Sequence, residues 1–226
     1  GLTGRVSWGI IEACDVQEVQ GKIRLYLTAG IGIAPTICRI AEKGVFVELN
    51  AWHSTKIIGM HDIYEIEDPW FRAPIRITHP IEIIGLPYIE VSPDRIIGIV
   101  HTNLPDEART MNQGSAETDQ IGQHMADFLV WNMQQGYMAS HKLILQSGVG
   151  SGANAVMGAL GRCKEVPNFQ IYTEVLQEEA MRLIAEGRVV AASNRSLLEG
   201  APSTTAMSFS PSRVALALMH TPAPLV

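Results

Sequence analysis

Two short stretches hold residues whose type and spacing suit chemistry. The first is Asn168-Phe169-Gln170-Ile171-Tyr172-Thr173-Glu174-Val175-Leu176-Gln177. An apolar strand runs into a helix that should span Glu174 to Glu186, with Glu174 at the junction. Ligands of open parallel sheets gather at the carboxyl ends of strands. A carboxylate in a first helical turn is held ionised by the helix dipole and is available as a nucleophile. Acidic residues also favour first turns with no catalytic purpose, so position alone leaves both meanings open. The second stretch is Gln146-Ser147-Gly148-Val149-Gly150-Ser151-Gly152-Ala153-Asn154. A strand ends in glycines and feeds a helix. Such a loop lets backbone approach a ligand and offers N–H donors to an anion. Its spacing matches neither the dinucleotide fingerprint nor the Walker pattern, and a plain tight turn explains it equally well.

Other chemistry has less footing. A second glycine loop, Gly30-Ile31-Gly32-Ile33-Ala34-Pro35, joins a strand to a helix, and ordinary turn chemistry accounts for it. The histidines form no HxxxH or HExxH pair, and Cys14, Cys38 and Cys163 are far apart, so no metal site is expected. Sparse, odd cysteines suit a reducing compartment. No GxSxG anchors a serine triad. The hydroxyl-rich Ser203-Thr204-Thr205 and Ser208-Phe209-Ser210-Pro211 suit helix capping. Arg109 and Arg95, in loops, are candidates to hold an anionic group, with a solvated surface role as the plainer alternative.

The elements that must position these residues alternate. Strands are expected at Ser7 to Ala13, Lys22 to Thr28, Gly44 to Leu49, Ile96 to His101, Leu143 to Gln146, Phe169 to Tyr172 and Val189 to Ala192. They are rich in Ile and Val, as strands covered on both faces are. Helices are expected at Pro35 to Lys43, Thr118 to Met138, Ala153 to Leu160 and Glu174 to Glu186, the last stopped by Gly187. The alternation predicts an α/β fold with mostly parallel open sheets and flanking helices. Pro69, Pro74, Pro80, Pro87 and Pro93 break the pattern between Asp68 and Asp94. The polar run from Asn103 to Gly114 reads as a linker, which divides the chain into 1–112 and 113–226.

Composition bounds the function. Of 226 residues, 46% are hydrophobic and 18% charged, a globular mixture. A net charge of -6 gives no basic footprint for nucleic acid. No apolar run nears the ~20 residues that span a bilayer. The start at Gly1 lacks an initiator Met and the end lacks a polar tail, so both read as cuts through a longer protein.

Tyr172-Thr173-Glu174-Val175-Leu176-Gln177 with Leu183-Ile184-Ala185-Glu186-Gly187 resembles the active-site segment of the acetyl-CoA hydrolase/transferase family. Gln146-Ser147-Gly148-Val149-Gly150 with Asn154-Ala155-Val156 resembles the glycine loop that precedes it there. Met60-His61-Asp62-Ile63-Tyr64, Gly85-Leu86-Pro87-Tyr88-Ile89 and Val100-His101-Thr102-Asn103 resemble the branch with succinyl-CoA:acetate CoA-transferases. Gly9-Ile10-Ile11-Glu12-Ala13 and Val47-Glu48-Leu49-Asn50 fit the same family. Glu178-Glu179 and the stretch Asn194 to Ala201 depart from its pattern.

The resemblance implies a CoA-transferase-like (NagB/RpiA-type) fold of two related lobes, with the active site between them and this chain as an internal fragment. It implies that Glu174 attacks an acyl-CoA thioester and passes through an anhydride to a glutamyl-CoA thioester. A small carboxylate then accepts the CoA. Gly148, Val149, Gly150 and Asn154 would supply oxyanion and CoA contacts, with the Val149 and Gly150 N–H groups as donors, and Arg109 a substrate anion. Coenzyme A would be a substrate and no other cofactor is expected. A homodimer in the cytoplasm, or in the mitochondrial matrix of a eukaryote, is expected, with no nucleic acid or membrane partner. Acyl-CoA hydrolysis is the near alternative. A non-catalytic ligand-binding or assembly module on the same fold is the distant one.

Overall fold

A computed structural model describes residues 7–64, 77–105, 114–194, 196–197 and 215–219, the last two stretches by their backbone alone. Arg109 and the hydroxyl-rich segment 203–211 lie outside them. The described residues fall in two compact units. The first lies within Gly1–Ile77, Glu82–Asp106 and Leu218–Val226, the second within Thr78–Ile81 and Glu107–Ala217.

The first unit is built on a five-stranded sheet. Strands β1 (Gly9–Val19) and β2 (Lys22–Leu27) form a hairpin, followed by α1 (Ala34–Ile40) and β3 (Val45–Asn50). The short β4 (His61–Asp62) lies outside this sheet, and β5 (Ile89–Val91) and β6 (Ile96–Thr102) complete it. The sheet order is β5-β2-β1-β3-β6. β1, β3 and β6 are parallel, while β2 is antiparallel to both β1 and β5. The sheet is therefore mixed, with an antiparallel hairpin beside the parallel strands that were expected to predominate. The cause is the turn at Gln20-Gly21, both with positive φ (52° and 74°). That backbone makes a two-residue hairpin and fixes antiparallel pairing. Ile11, Ala13, Leu25, Leu27, Val45, Val47 and Ile89 bury the sheet's apolar residues. Leu218 and Met219 of β12 (Ala215–Met219) pair in parallel with His61 and Asp62.

The second unit begins with the longest helix, α2 (Ala116–Gln134), capped by a reciprocal box in which Ser115 and Thr118 exchange side-chain and backbone bonds. There follow β7 (Ile144–Leu145), α3 (Ser151–Arg162), β8 (Phe169–Tyr172), β9 (Val175–Leu176), α4 (Glu178–Ala185), β10 (Val189–Asn194) and β11 (Ser196–Leu197). β7 and β10 pair in parallel with β8, one on each side. Phe169, Ile171, Val189 and Ala192 are almost fully buried there, whereas Gln170 and Tyr172 on the other face of β8 are not. α2 crosses α3 at Gly122, where a Cβ would stand 2.6 Å from the Ala155 carbonyl oxygen. Together the units form an α/β architecture with mostly parallel pairing and flanking helices.

Among the described residues, no helix is long and apolar enough to cross a membrane.

Candidate active site

Glu174 stands on a bend directly after β8, at the carboxyl end of a strand with parallel neighbours on both sides. It is not in a helix. Val175 and Leu176 continue as β9, paired in parallel with Ser196 and Leu197 of β11, and α4 starts only at Glu178. The expected first-turn position therefore belongs to Glu178 and Glu179. Strand pairing holds the chain extended past Glu174, and the helix dipole cannot be credited with ionising it. Its carboxylate is exposed and has no hydrogen-bond or ion-pair partner among the described residues.

Its neighbours are the reverse. Thr173 is 8% exposed; its hydroxyl donates to the Ser147 carbonyl at 2.6 Å and accepts from the Ser147 N–H at 3.3 Å. The Thr173 N–H donates to the Ser193 carbonyl of β10 at 2.9 Å. On the other side, the Gln177 carboxamide donates to the Gly148 carbonyl at 2.8 Å and accepts from the Gly150 N–H at 2.9 Å. Both residues that bracket Glu174 are thus bonded to the glycine loop. The expected meeting of loop and glutamate is made by Thr173 and Gln177, to which the sequence had given no role.

The loop itself is open on one side. A Cβ placed at Gly148, Gly150 or Gly152 would meet nothing within 4 Å. Gly150, with φ 136°, is the one loop position where a side chain would be strained. The two expected N–H donors do not stand alike. Gly150 gives its hydrogen to Gln177, so it is not a free donor. The Val149 N–H has no acceptor among the described residues, and Val149 is 56% exposed.

Asn154 is also committed. Its Oδ1 accepts from the Glu179 N–H at 3.1 Å, so it caps the start of α4 from α3. Gln177 occupies the N-cap position but makes no side-chain cap. The Asn154 oxygen thus serves as a helix cap, because the first donors of α4 need an acceptor. Arg95 donates to the Cys38 carbonyl at 2.8 Å, at the end of α1, which ties it to backbone and not to an anion.

The first unit gathers its own polar residues beside the ends of β1, β2 and β3. Glu12 accepts from Asn50 Nδ2 at 2.7 Å and from the Thr28 hydroxyl at 3.1 Å, and His53 Nε2 lies 3.3 Å away. His61 is completely buried and its Nε2 lies 2.9 Å from the Thr28 carbonyl, so that nitrogen carries the hydrogen. Burial lowers the His61 pKa to about 4, against the smaller opposite pull of the Thr28 bond. Asp62 accepts the N–H groups of Ile84 at 3.1 Å and of Gly85. Two of the motif segments, around Asp62 and Gly85, are thereby brought together.

No family model matches the chain. Curated proteins do. It is 35% identical over 203 residues to the propanoyl-CoA:succinate CoA transferase of Escherichia coli, covering 88% of this chain and 41% of that protein. It is 34% identical over 194 residues to the succinyl-CoA:acetate CoA-transferase of Clostridium kluyveri (85% and 35% covered). It is 35% identical over 179 residues to the acetyl-CoA hydrolase of Schizosaccharomyces pombe (79% and 33% covered). Over most of its length the chain is similar to members of the acetyl-CoA hydrolase/transferase family. It spans roughly a third to two fifths of the length of these family members. The family's named members are enzymes, both CoA-transferases and hydrolases.

Among solved structures, the 4-hydroxybutyrate CoA-transferase of Porphyromonas gingivalis aligns with TM-score 0.51 at 16% identity, covering 86% of this chain and 40% of that one. RipA of Yersinia pestis aligns with TM-score 0.53 at 18% identity, covering 93% and 39%. At such identities these structures support the family's fold and nothing finer.

Proposed function

We propose that the protein is a CoA-transferase that moves CoA between an acyl-CoA and a small carboxylate, with Glu174 as the covalent nucleophile. The observation that carries this reading is the contrast at one bend. Glu174 leaves its carboxylate without a hydrogen-bond or ion-pair partner among the described residues, while Thr173 and Gln177 bind the glycine loop beside it. A nucleophile must be held yet unengaged. The curated relatives, similar over most of this chain, are named for acyl-CoA chemistry.

A Glu174 carboxylate oxygen attacks the thioester carbonyl carbon, and the oxyanion that forms takes the Val149 N–H. The C–S bond then breaks, giving an acyl-glutamyl anhydride and CoA thiolate. The thiolate attacks the glutamyl carbonyl, the acyl group leaves as a carboxylate, and Glu174 carries CoA as a thioester. An acceptor carboxylate reverses the sequence and departs as the new acyl-CoA. Coenzyme A is consumed and regenerated as substrate, and no step calls for another cofactor. Water that reached the anhydride would turn transfer into hydrolysis, so exclusion of water separates the two activities. Arg109 is proposed to hold the acceptor's negative charge.

The test is chemical trapping. Full-length protein is incubated with acyl-CoA and reduced with borohydride, and the modified peptide is mapped by mass spectrometry. A thioester at Glu174 becomes an alcohol there. Label on another carboxylate, or full transfer by Glu174→Ala, would refute the assignment.

A further inference from the structure

Gln177 touches no substrate in the mechanism above, yet its two bonds control the group that does. Its side chain is almost completely buried, at 4% exposure. A carbonyl cannot donate and a backbone N–H cannot accept, so the partners fix which end of the carboxamide faces which. Nε2 goes to Gly148 and Oε1 to Gly150.

The Gly148 carbonyl and the Val149 N–H belong to one peptide plane, and no cis peptide occurs among the described residues. In a trans peptide the two bonds point in opposite directions. Held on the Gly148 oxygen, Gln177 therefore aims the Val149 N–H away from itself. Drawing on the carbonyl also polarises that peptide and strengthens the N–H as a donor. The second bond, at Gly150, locks the peptide beyond Val149, so the loop cannot turn about a single pin.

We propose that Gln177 is a positioning residue that orients and polarises the Val149 N–H toward the oxyanion that forms on the thioester carbonyl when Glu174 attacks it. The proposal rests on the reading of Glu174 as nucleophile. A merely structural role for Gln177 would show in stability and leave the chemical step alone.

Gln177→Glu separates the two. Ionised, the new carboxylate still accepts from Gly150 but offers the Gly148 oxygen no hydrogen and sets a charge against it. Burial raises the pKa of such a carboxyl, and once protonated it regains the donor. In full-length protein at pH 8, kcat should fall on the order of 10- to 100-fold, somewhat less than loss of a whole oxyanion donor. KM for acyl-CoA should stay within about twofold, because the interaction belongs to the transition state. As pH is lowered toward about 5.5, the ratio of variant to wild-type kcat should climb about tenfold or more, as the buried carboxyl gains its proton. Val149→Pro, which removes the N–H but not the Gly148 carbonyl or the Gly150 N–H that Gln177 binds, and which also fixes the local φ, should lose about a hundredfold in kcat. It keeps the test alive if Gln177→Glu does not fold.

A kcat ratio that is flat in pH, or unchanged turnover in either variant, overturns the proposal. Glu174→Ala runs alongside. If it is dead while Gln177→Glu behaves as wild type, only the role of Gln177 falls. If Glu174→Ala keeps full turnover, the nucleophile reading falls and takes this proposal with it.

Discussion

Glu12 and Asp62 in the first unit are held differently from Glu174 in the second. Glu12 is bound by Asn50 and Thr28 with His53 beside it, and Asp62 by two backbone N–H groups. Each organises a junction: Glu12 ties the ends of three strands, and Asp62 fastens the loop before β5 to β4. Glu174 in the second unit has no such partner, and the bonding there passes to its neighbours. A carboxylate saturated with donors is a poor nucleophile, since its lone pairs are taken. A carboxylate left open must be held by its backbone, and Thr173 and Gln177 do that. The lesson is to look for chemistry where the carboxylate is bare and the flanking residues are pinned.

The sharpest way to break this contrast is at Glu174. Glu174→Asp withdraws the carboxylate by about an ångström and should cost on the order of a hundredfold in turnover. Glu174→Ala should abolish transfer. Neither should move stability by more than about 0.5 kcal/mol, because no contact is lost. Steady-state kinetics beside urea unfolding of the full-length protein checks both halves. A large stability loss would mean that Glu174 has partners of its own.

Glu12→Ala should show the opposite profile. It strips Asn50 and Thr28 of a charged acceptor, with an expected loss of about 2–3 kcal/mol from bonds to a charged group that is partly solvated. Urea midpoints measure it. An effect below about 0.5 kcal/mol, as for an ordinary surface site, would dissolve the distinction between the units.

His61 adds a pH signature to the first unit. Its folded pKa of about 4 lies below the ordinary 6.5, so the unfolded chain binds the extra proton first. The contribution is complete above pH 6.5 and is lost as pH falls toward 4. The slope is about 1.4 kcal/mol for each pH unit crossed. Unfolding midpoints at several pH values should show the decline, and His61→Gln, which can still donate to Thr28, should flatten it in that window.

Thr173→Val should have the smallest effect, about 1–1.5 kcal/mol, from loss of its bonds to Ser147. Kinetics should then show a looser glycine loop as a lower kcat at nearly unchanged KM. If KM rises instead, Thr173 serves binding and not the transition state.

Much of this was visible in the residues. Phe169 to Tyr172 and Val189 to Ala192 form the parallel strands β8 and β10, whose residues Phe169, Ile171, Val189, Ala191 and Ala192 are buried in the second unit. The Gly148 loop lies between a strand and a helix, as its composition demands. Other features were hidden. Glu174 to Glu186 has helical periodicity, but the first four residues pair or bend because β11 offers β9 a partner. Periodicity cannot report a strand supplied by chain some twenty residues further on. The antiparallel pairing of β1 with β2 follows from the Gln20-Gly21 turn, which the alternation of strands and helices did not disclose.

What the sequence determined by itself is the inventory: which runs are apolar enough to be strands, where glycine permits a loop, and which carboxylate stands at a strand end. Those depend on local sterics and on the period of burial, which neighbouring residues fix. What only the tertiary structure decided is who bonds to whom. Thr173 reaches Ser147, Gln177 reaches Gly148 and Gly150, and Asn154 reaches Glu179 across 25 to 29 residues of chain. Gly150 lost its free N–H to such a bond, and Val149 kept its own. Hydrogen bonds are short-ranged and directional, so their partners are chosen by the packing of whole elements, which no local stretch of sequence contains.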